Sequence, residues 1–270
     1  MIQHNYKDKV AIITGGSGAL GSAMAKGLAS EGMKVAILGR TLNTLKSALE
    51  DIKAINTNVI AVVADVLNQS SLESARSEVI NTWGRIDILV NAAGGNVKGA
   101  TIMPEDNFFD MKIEDFEKVT DLNIKGTVLP TLVFGKQMTL QNSGNIINIS
   151  SMAAQKPLTR VVGYAASKAA IDNFTKWMAV EIATKHSENI RVNAIAPGFF
   201  IGEQNRSLLL NGDGSLTQRG NTIIAHTPMK RFGKAEELVS TLLWLCSDAS
   251  SFVTGITVPV DGGFSAFSGV

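Results

Sequence analysis

The sequence predicts one α/β domain with a doubly wound, Rossmann-type parallel sheet of about seven strands and helices on both faces. Three observations lead to this prediction. Short apolar runs rich in β-branched residues recur along the chain, helical patterns separate them, and a glycine-rich turn follows the first run. Uninterrupted apolar strands are typical of a sheet buried on both faces. The 270 residues contain no internal repeat and no Pro-rich linker, so residues 1–270 are expected to form a single domain.

The strand candidates, in chain order, are KVAIITG, KVAILGR, VIAVVADV, IDILVNAAG, GNIINISS, IRVNAIAPG and TVPVDGG. Between the first two, GSAMAKGLASEG has apolar residues at helical spacing and ends at Gly32, a common helix stop signal. The alternation of strands and helices implies right-handed crossovers. Two segments, 96–113 and about 199–234, interrupt it. Both follow strand ends, where ligands bind in such sheets, and we expect the second to form a lid over a substrate.

Composition excludes several classes of function. The formal net charge of +1 and the lack of a basic block argue against a nucleic-acid partner. No apolar run approaches the roughly 20 residues of a membrane span, and the first residues lack the apolar core of a signal peptide. The lone cysteine, Cys246, lies in an apolar run and cannot form an intrachain disulfide. We therefore expect it in the core of a cytoplasmic protein.

The glycine-rich turn predicts a dinucleotide-binding site. In VAIITGGSGALGSAMAKGLASEG it lies between a strand and a helix, as a dinucleotide fingerprint requires. Gly15 permits a tight turn, the backbone around Ser17 and Gly18 can approach a pyrophosphate, and Gly21 lets the helix pack near the strand. The helix N-terminus offers N–H groups to a phosphate. A plain turn without a ligand would have the same local pattern.

The ends of the second and third strands bear on the choice of cofactor. NAD-binding proteins usually have an acidic residue after the second strand, whereas an arginine there suits the 2′-phosphate of NADP. This chain has Gly39 and Arg40, which favours NADP, although an exposed arginine at the start of a helix is the alternative. Asp65 ends the third strand and is expected either to contact the adenine or to cap the next helix.

Tyr164 and Lys168 are four residues apart, so a helix places both side chains on one face. An ammonium near a phenol lowers the phenol pKa towards working pH, which suits a general acid for a carbonyl oxygen. Ser150 and Ser151 end the preceding strand, and such a hydroxyl can donate a hydrogen bond to the same oxygen. From spacing alone, a surface tyrosine and lysine on an amphipathic helix are equally compatible.

Several motifs together resemble the short-chain dehydrogenase/reductase family. TGGSGALG, DILVNAAG, DLN, ISS thirteen residues before YAASK, and RVNAIAPG occur in the family's order over nearly the whole chain. The resemblance implies that Ser151, Tyr164 and Lys168 are catalytic and that Asn123 holds a water connecting Lys168 to solvent. Tyr164 would transfer the proton and Ser151 would polarise the substrate oxygen. Lys168 would lower the tyrosine pKa and bind the nicotinamide ribose.

The same resemblance implies contacts with the cofactor along the carboxyl ends of the strands. The expected positions are Gly15, Ser17, Gly18, Ala19, Leu20, Gly21, Arg40, Asp65, Val66, Asn91, Ala92, Ala93, Gly94, Tyr164, Lys168, Pro197 and Gly198. Three positions depart from the family pattern. Ala19 replaces a motif glycine, Ala92 replaces an asparagine, and Gly202 stands where a threonine usually contacts the nicotinamide amide. NADP(H) is expected in preference to NAD(H), and no metal site is expected.

A narrower resemblance, in the insertions, is to the mannonate oxidoreductase (fructuronate reductase) branch of the family. It implies a keto-sugar acid as substrate, at a site that includes Ser151 and Tyr164. Polar side chains suited to such a ligand are Asn96, Arg160, Gln204, Asn205 and Arg206, and His226 lies in the predicted lid. Arg160 is the preferred carboxylate partner because it lies between Ser151 and Tyr164 and an arginine fork matches a carboxylate.

Other functions remain compatible with these motifs. A reductase of another carbonyl, of the keto-gluconate or 3-oxoacyl type, would use the same catalytic residues. A nucleotide-sensing protein without catalysis would keep only the fold. The family resemblance also implies a homotetramer, with the helix that carries Tyr164 and the C-terminal strand at subunit interfaces. Phe264 and Phe267 in the apolar tail DGGFSAFSGV are expected to be exposed unless a neighbouring subunit covers them.

Overall fold

The computed structural model describes residues 6–202 and 205–269, and all seven predicted strands form one parallel sheet. The strands are β1 (Val10–Thr14), β2 (Lys34–Gly39), β3 (Val59–Val63), β4 (Ile88–Asn91), β5 (Gly144–Ile149), β6 (Ile190–Pro197) and β7 (Thr257–Val260). Their order across the sheet is β3-β2-β1-β4-β5-β6-β7, and each neighbouring pair is parallel. The predicted Rossmann-type arrangement is confirmed, and the strand order reverses between β1 and β4, where such sheets bind ligands.

The helices of the described residues are α1 (Ala19–Ser30), α2 (Leu42–Lys53), α3 (Gln69–Trp83), α4 (Ile113–Thr120), α5 (Gly126–Gln141), α6 (Val162–Lys185), α7 (Arg206–Leu209), α8 (Gln218–His226) and α9 (Val239–Cys246). As predicted, α1 follows β1 and is terminated at Gly32, which has a φ of +81°. A π-helical turn, Asp121–Lys125, joins α4 to α5. None of these helices is both long enough and apolar enough to cross a membrane.

Alternate residues of each central strand face two separate cores. Ile13 and Ile37 belong to one core, whose helical side is formed by α1, α2 and α9. Ile12 and Leu38 face the other core, which α3, α5 and α6 cover. Both faces of the sheet are therefore dry, and this explains why the strands are continuous apolar runs. Cys246 lies in the first core, as predicted, and burial raises its thiol pKa to about 12.

The two insertions both start at the carboxyl end of a strand, as predicted. Residues 96–113 follow β4 and contain two short 3-10 turns, whereas residues 199–234 follow β6 and contain α7 and α8. The second segment, the predicted lid, is thus partly helical. Thr217 caps α8 by accepting a hydrogen bond from the Gly220 amide at 3.0 Å, and Ile223 anchors the helix in the interior.

The C-terminal tail packs on the same chain. The ring of Phe264 lies 5.1 Å from that of Phe199, and the ring of Phe267 lies 6.5 Å from that of His226. Both phenylalanines are partly buried by these contacts. The expectation that only a neighbouring subunit could cover them is therefore wrong. The tail instead braces the segment 199–234 at its start and near its end, because the Met229 amide also donates to the Gly262 carbonyl at 3.1 Å.

Candidate active site

The turn between β1 and α1 brings bare backbone close to the end of β4. Gly15 has a φ of +65°, and a Cβ at this position would lie 2.9 Å from the Cα of Ala93. A side chain on Gly21 would overlap the carbonyl oxygen of Gly15. Gly18 is the N-cap of α1, and no side chain caps this helix within the described residues. An uncapped helix N-terminus behind a glycine turn fits a pyrophosphate. Beyond the cap, Ala19 is exposed and Leu20 packs on the first core.

Arg40 lies at the end of β2 and is exposed. No carboxylate of the described residues pairs with it. The hydroxyl of Ser17 donates to that of Thr44 at 3.4 Å, which links the glycine turn to α2. A Cβ on Gly39 would lie 3.6 Å from the Ser17 hydroxyl oxygen. The end of β2 therefore presents a positive charge and two hydroxyls without an acidic group beside the turn.

Asp65 forms a local turn and does not cap α3. Its Oδ1 accepts a hydrogen bond from the Leu67 amide at 2.9 Å. The N-cap of α3 is Asn68, which accepts from the Ser71 amide at 3.0 Å. The alternative of Asp65 as a helix cap is therefore wrong, because Asn68 stands closer to the first helical turn. Val66 is buried and faces Gly126 of α5.

The end of β4 is fixed by side chains of the neighbouring strands. Thr14 Oγ1 accepts hydrogen bonds from the amides of Ala92 and Ala93, both at 3.1 Å. The side chain of Asn91 points into the sheet, where its Nδ2 donates to Asn148 Oδ1 at 2.9 Å and to Thr131 Oγ1 at 3.0 Å. The Nδ2 of Asn91 is thus occupied, while its Oδ1 is buried with no partner among the described residues. Ala92, Ala93 and Gly94 are partly exposed.

The end of β6 also carries two predicted cofactor positions. Pro197 is the last residue of the strand and is buried. The Gly198 amide donates to the Val260 carbonyl at 2.9 Å, and a Cβ on Gly198 would lie 2.7 Å from the Cα of Asp261. Glycine is thus needed at position 198 for a close approach of two chain segments. Gly202 is partly exposed further along the loop.

Asn123 lies in the π-helical turn and clamps the loop after β4. Its Oδ1 accepts from the Gly95 amide at 3.1 Å, and its Nδ2 donates to the Gly95 carbonyl at 2.7 Å and to the Val119 carbonyl at 2.8 Å. Both ends of the side-chain amide are thus occupied by protein groups. A Cβ on Gly94 would lie 2.7 Å from Asn123 Oδ1 and 3.4 Å from Lys168 Nζ, so the three residues meet in one place.

Ser151, Tyr164 and Lys168 come together where β5 ends against the start of α6. Lys168 Nζ donates to the Ile149 carbonyl at 2.7 Å and lies 5.5 Å from the centre of the Tyr164 ring. The Ser151 side chain lies close enough to Tyr164 to lower its pKa, and its hydroxyl accepts from the Ala153 amide at 3.1 Å. Ser150 points elsewhere, since its hydroxyl is buried with no partner among the described residues. The structure therefore distinguishes the two serines and selects Ser151.

Burial is the largest electrostatic influence on this group of residues. It lowers the pKa of Lys168 to about 8, against a smaller opposite effect of Asp172. It raises the pKa of Tyr164, and the Ser151 side chain partly offsets this rise. The expected lowering of the tyrosine pKa by Lys168 is not found in these surroundings. The ammonium approaches the face of the ring and bonds to a carbonyl, and the phenol loses solvation.

The predicted substrate residues differ in exposure and in whether protein groups already occupy their polar atoms. Asn96 Oδ1 is buried with no partner among the described residues, while its Nδ2 donates to Thr101 Oγ1 at 2.8 Å. Asn205 is engaged in its own loop, since its Nδ2 donates to the Phe200 carbonyl and its Oδ1 accepts from the Gly202 amide, both at 2.8 Å. Arg206 and His226 are exposed. Gln204 lies outside the described residues.

One residue near the predicted substrate side was missed by sequence reasoning. Arg219 of α8 donates to Thr159, directly before Arg160, at 3.0 and 3.3 Å. The segment TQRG carries no motif that singles this arginine out. Its contact joins positions that are 60 residues apart, so only the folded chain brings it to the loop between Ser151 and Tyr164.

The fold and these contacts define a nucleotide-binding α/β oxidoreductase. The chain matches a family model described as Enoyl-(Acyl carrier protein) reductase over residues 16–265. The chain belongs to the short-chain dehydrogenase/reductase family, as its motifs predict. It is therefore an NAD(P)-dependent dehydrogenase or reductase.

Relatives and solved structures agree with this assignment. The chain is 50% identical over 278 aligned positions to an uncharacterised oxidoreductase, UxuB, of Bacillus subtilis (strain 168), covering 100% of this chain and 99% of the relative. A crystal structure of a candidate D-mannonate oxidoreductase from Haemophilus influenza with bound NAD superposes with a TM-score of 0.92 at 42% identity, covering 99% of this chain and 98% of that one. A 3-oxoacyl-[acyl-carrier-protein] reductase of Synechocystis sp. is 35% identical over 261 positions, which cover 96% of this chain and 98% of that relative.

The buried ammonium of Lys168 predicts a pH-dependent stability. The pKa of Lys168 is about 8 in the folded chain and 10.5 ordinarily, so between these values the unfolded chain binds more protons. The free energy of unfolding should therefore rise with pH in this window, by up to about 3 kcal/mol from this group. Urea denaturation of the wild type and of Lys168→Met from pH 7.5 to 10.5 measures it. Parallel curves for the two proteins would contradict the prediction, because subtraction removes every other titrating group.

Proposed function

We propose that this protein interconverts a keto-sugar acid and its alcohol, most specifically fructuronate and mannonate, by hydride transfer with a pyridine nucleotide. The observation that carries the proposal is the meeting of Ser151, Tyr164 and Lys168 beside the Gly94–Asn123 contact. Two hydroxyls and a buried cation at this point suit chemistry at a carbonyl oxygen. The name of the Haemophilus influenza relative supports the choice of mannonate.

The residues of the chain would divide the proton chemistry between them. The nicotinamide, when bound, supplies a hydride to the carbonyl carbon or accepts one from the alcohol carbon. Tyr164 gives its hydroxyl proton to the substrate oxygen during reduction and takes it back during oxidation. Its raised pKa keeps it protonated, as an acid must be before reduction. Ser151 donates a hydrogen bond to the same oxygen as charge develops there.

Lys168 and Asn123 would support this proton transfer without contacting the substrate. A lysine with a pKa of about 8 exchanges protons near neutral pH and is therefore suited to return a proton towards Tyr164. Asn123 keeps the loop after β4 against Lys168, and its own carbonyl accepts from Thr127 Oγ1 at 2.9 Å. The predicted water at this asparagine would bind to its main-chain carbonyl, because both ends of the side-chain amide are occupied.

The carboxyl edge of the sheet fits a dinucleotide. The turn Gly15–Gly21 and the uncapped start of α1 would hold the pyrophosphate. Asp65 and Val66 would line the adenine side, while Gly94, Pro197 and Gly198 would line the nicotinamide side. Arg40 and the absence of an acidic group at position 39 favour NADP. The Haemophilus influenza relative holds NAD, so the preference between NADP and NAD needs a direct test in this chain.

The substrate would lie between the two insertions. Arg160 and the unpartnered Oδ1 of Asn96 would bind the carboxylate and a sugar hydroxyl. Residues 199–234 would act as a lid, with Arg206 and His226 at its exposed surface and Asn205 securing its first turn. The unpartnered Oδ1 of Asn96 and the guanidinium of Arg160 favour a sugar acid over the acyl chain of 3-oxoacyl reductases.

Tyr164→Phe is expected to lower kcat by about 10²- to 10⁴-fold while cofactor binding persists, because only the proton is lost. The measurement is the rate with fructuronate, tagaturonate and keto-gluconates and with NADH or NADPH, beside a fluorescence titration of the cofactor. Tyr6→Phe is the matched control, since the Tyr6 hydroxyl bonds to the Leu243 carbonyl. Unchanged turnover in Tyr164→Phe would refute the mechanism. A wild type that reduces other carbonyls but none of these acids would refute the substrate.

Arg40→Asp is expected to lower kcat/KM for NADPH by about 10- to 100-fold, because the 2′-phosphate loses a charge-assisted hydrogen bond and meets a negative charge. The value for NADH should change little. Steady-state kinetics with both cofactors measure the effect. Lys53→Asp, at the opposite end of α2, is the control for the change in net charge. A strong preference of the wild type for NADH would contradict the assignment.

A homotetramer belongs to the same proposal. The side chains of Leu132 and Leu140 on α5, and of Trp177 and Val180 on α6, are between 58% and 72% exposed in a single chain. Such apolar surfaces usually lie in contacts between subunits. Light scattering at micromolar concentration should give the mass of four chains of 28.7 kDa, and Trp177→Glu should lower it. The mass of a single chain for the wild type would contradict the proposal.

A further inference from the structure

Arg219 and Arg160 lie next to each other where the lid meets the loop between Ser151 and Tyr164. Arg219 Nη1 donates to Thr159 Oγ1 at 3.0 Å, and its Nη2 donates to the Thr159 carbonyl at 3.3 Å. The guanidinium of a lid helix is therefore fixed against the residue that precedes Arg160. Both arginines are partly buried, so neither charge is fully solvated.

Neither guanidinium has an acidic partner among residues 6–202 and 205–269. The lid contains a useful contrast in Arg231, whose Nη2 lies 2.6 Å from Glu237 Oε1. Burial, and next the charge of Arg160, lower the pKa of Arg219. Two neighbouring cations in partly desolvated surroundings repel each other, and an anion shared between them removes this repulsion.

The first insertion holds Arg160 from the other side. The backbone of Arg160 has a φ of +76°, which is uncommon for a residue with a side chain. Its carbonyl accepts from the Ile102 amide at 3.0 Å, and its Nη1 lies 4.0 Å from Met103 Sδ. This strained conformation is the kind that functional sites retain. Three separate segments thus meet around the two guanidinium groups.

We propose that Arg160 and Arg219 form a two-guanidinium clamp for the substrate carboxylate, and that this clamp selects sugar acids over neutral sugars and polyols. The inference rests on the proposed function and adds to it the residue that decides substrate class. Planar guanidinium forks bind carboxylates with paired hydrogen bonds. Since Arg219 belongs to α8, a carboxylate held by both arginines connects the lid to the wall that carries Ser151 and Tyr164.

Substitution of each arginine tests the clamp through the balance of KM and kcat. Arg219→Met removes the charge and keeps most of the side-chain length, and KM for the acid should rise about 10- to 100-fold with kcat nearly unchanged. Arg219→Lys keeps the charge but not the planar guanidinium, so its KM should lie between those of the wild type and Arg219→Met. Arg160→Asn tolerates the left-handed backbone and should match Arg219→Met. Lys53→Met removes an exposed positive charge in the last turn of α2, outside both insertions, and should leave KM unchanged.

Calorimetric binding of D-mannonate and D-mannitol, with reduced cofactor present so that neither ligand is oxidised, separates this clamp from the reaction assignment. The wild type should bind the acid more tightly than the alcohol, and Arg219→Met should lose the difference. If the wild type turns over none of the acids but shows this pattern, the clamp stands and the assigned reaction fails. If acids are turned over and Arg219→Met keeps the wild-type KM and affinity, the clamp is overturned alone. Binding of neither ligand, or equal binding of both by the wild type, overturns it as well.

Discussion

The buried ammonium of Lys168 is the interaction on which the candidate site depends. Its hydrogen bond to the Ile149 carbonyl, at 2.7 Å, ties α6 to the last residue of β5. Transfer of a cation into the protein interior is unfavourable unless it is paired, and the lowered pKa of Lys168 reflects that penalty. A helix that only had to cover the sheet would do so better with an apolar residue. The buried ammonium is instead held between the Ile149 carbonyl and the face of the Tyr164 ring.

Hydrogen bonds between polar side chains connect further segments along the carboxyl edge of the sheet. Asn91 bonds to Asn148, which donates to Thr175 of α6 at 2.9 Å. Thr14 holds the chain after β4, and Asn123 holds Gly95 further along the same loop. Each contact joins segments that are distant in sequence, and each is buried or nearly so. Hydrogen bonds in such surroundings are strongly directional and fix the separation of the strand ends. The glycine turn and the group of Ser151, Tyr164 and Lys168 thus lie along one edge of the sheet, which these hydrogen bonds hold together.

The sequence predicted what depends on local pattern. The seven strands are continuous apolar runs because both faces of the sheet are buried, and the turn at Gly15 requires a residue that tolerates positive φ. Tyr164 and Lys168 were brought together by the helical repeat. The features that the sequence did not predict depend on competition between neighbouring residues for one role, or on contacts between residues far apart in sequence. Asn68, and not Asp65, caps α3. The π-helical turn at Asn123 has no signal in the hydrophobic periodicity of the sequence. Phe264 and Phe267 find partners in their own chain.

The residues on the proposed substrate side are harder to predict from sequence, because only the fold brings them together. Arg219 contacts Thr159 across 60 positions, whereas Ser151, Tyr164 and Lys168 come together at the end of one strand and the start of one helix. Relatives named for glucose, glycerol and acyl-chain substrates are 33% to 35% identical over nearly the whole chain. One fold thus accommodates different substrates, and the residues of the site decide among them. Discrimination between an acid and a neutral alcohol needs only a charge at the right place in the loops. The proposed clamp of Arg160 and Arg219 would supply such a charge from two segments that only the fold brings together.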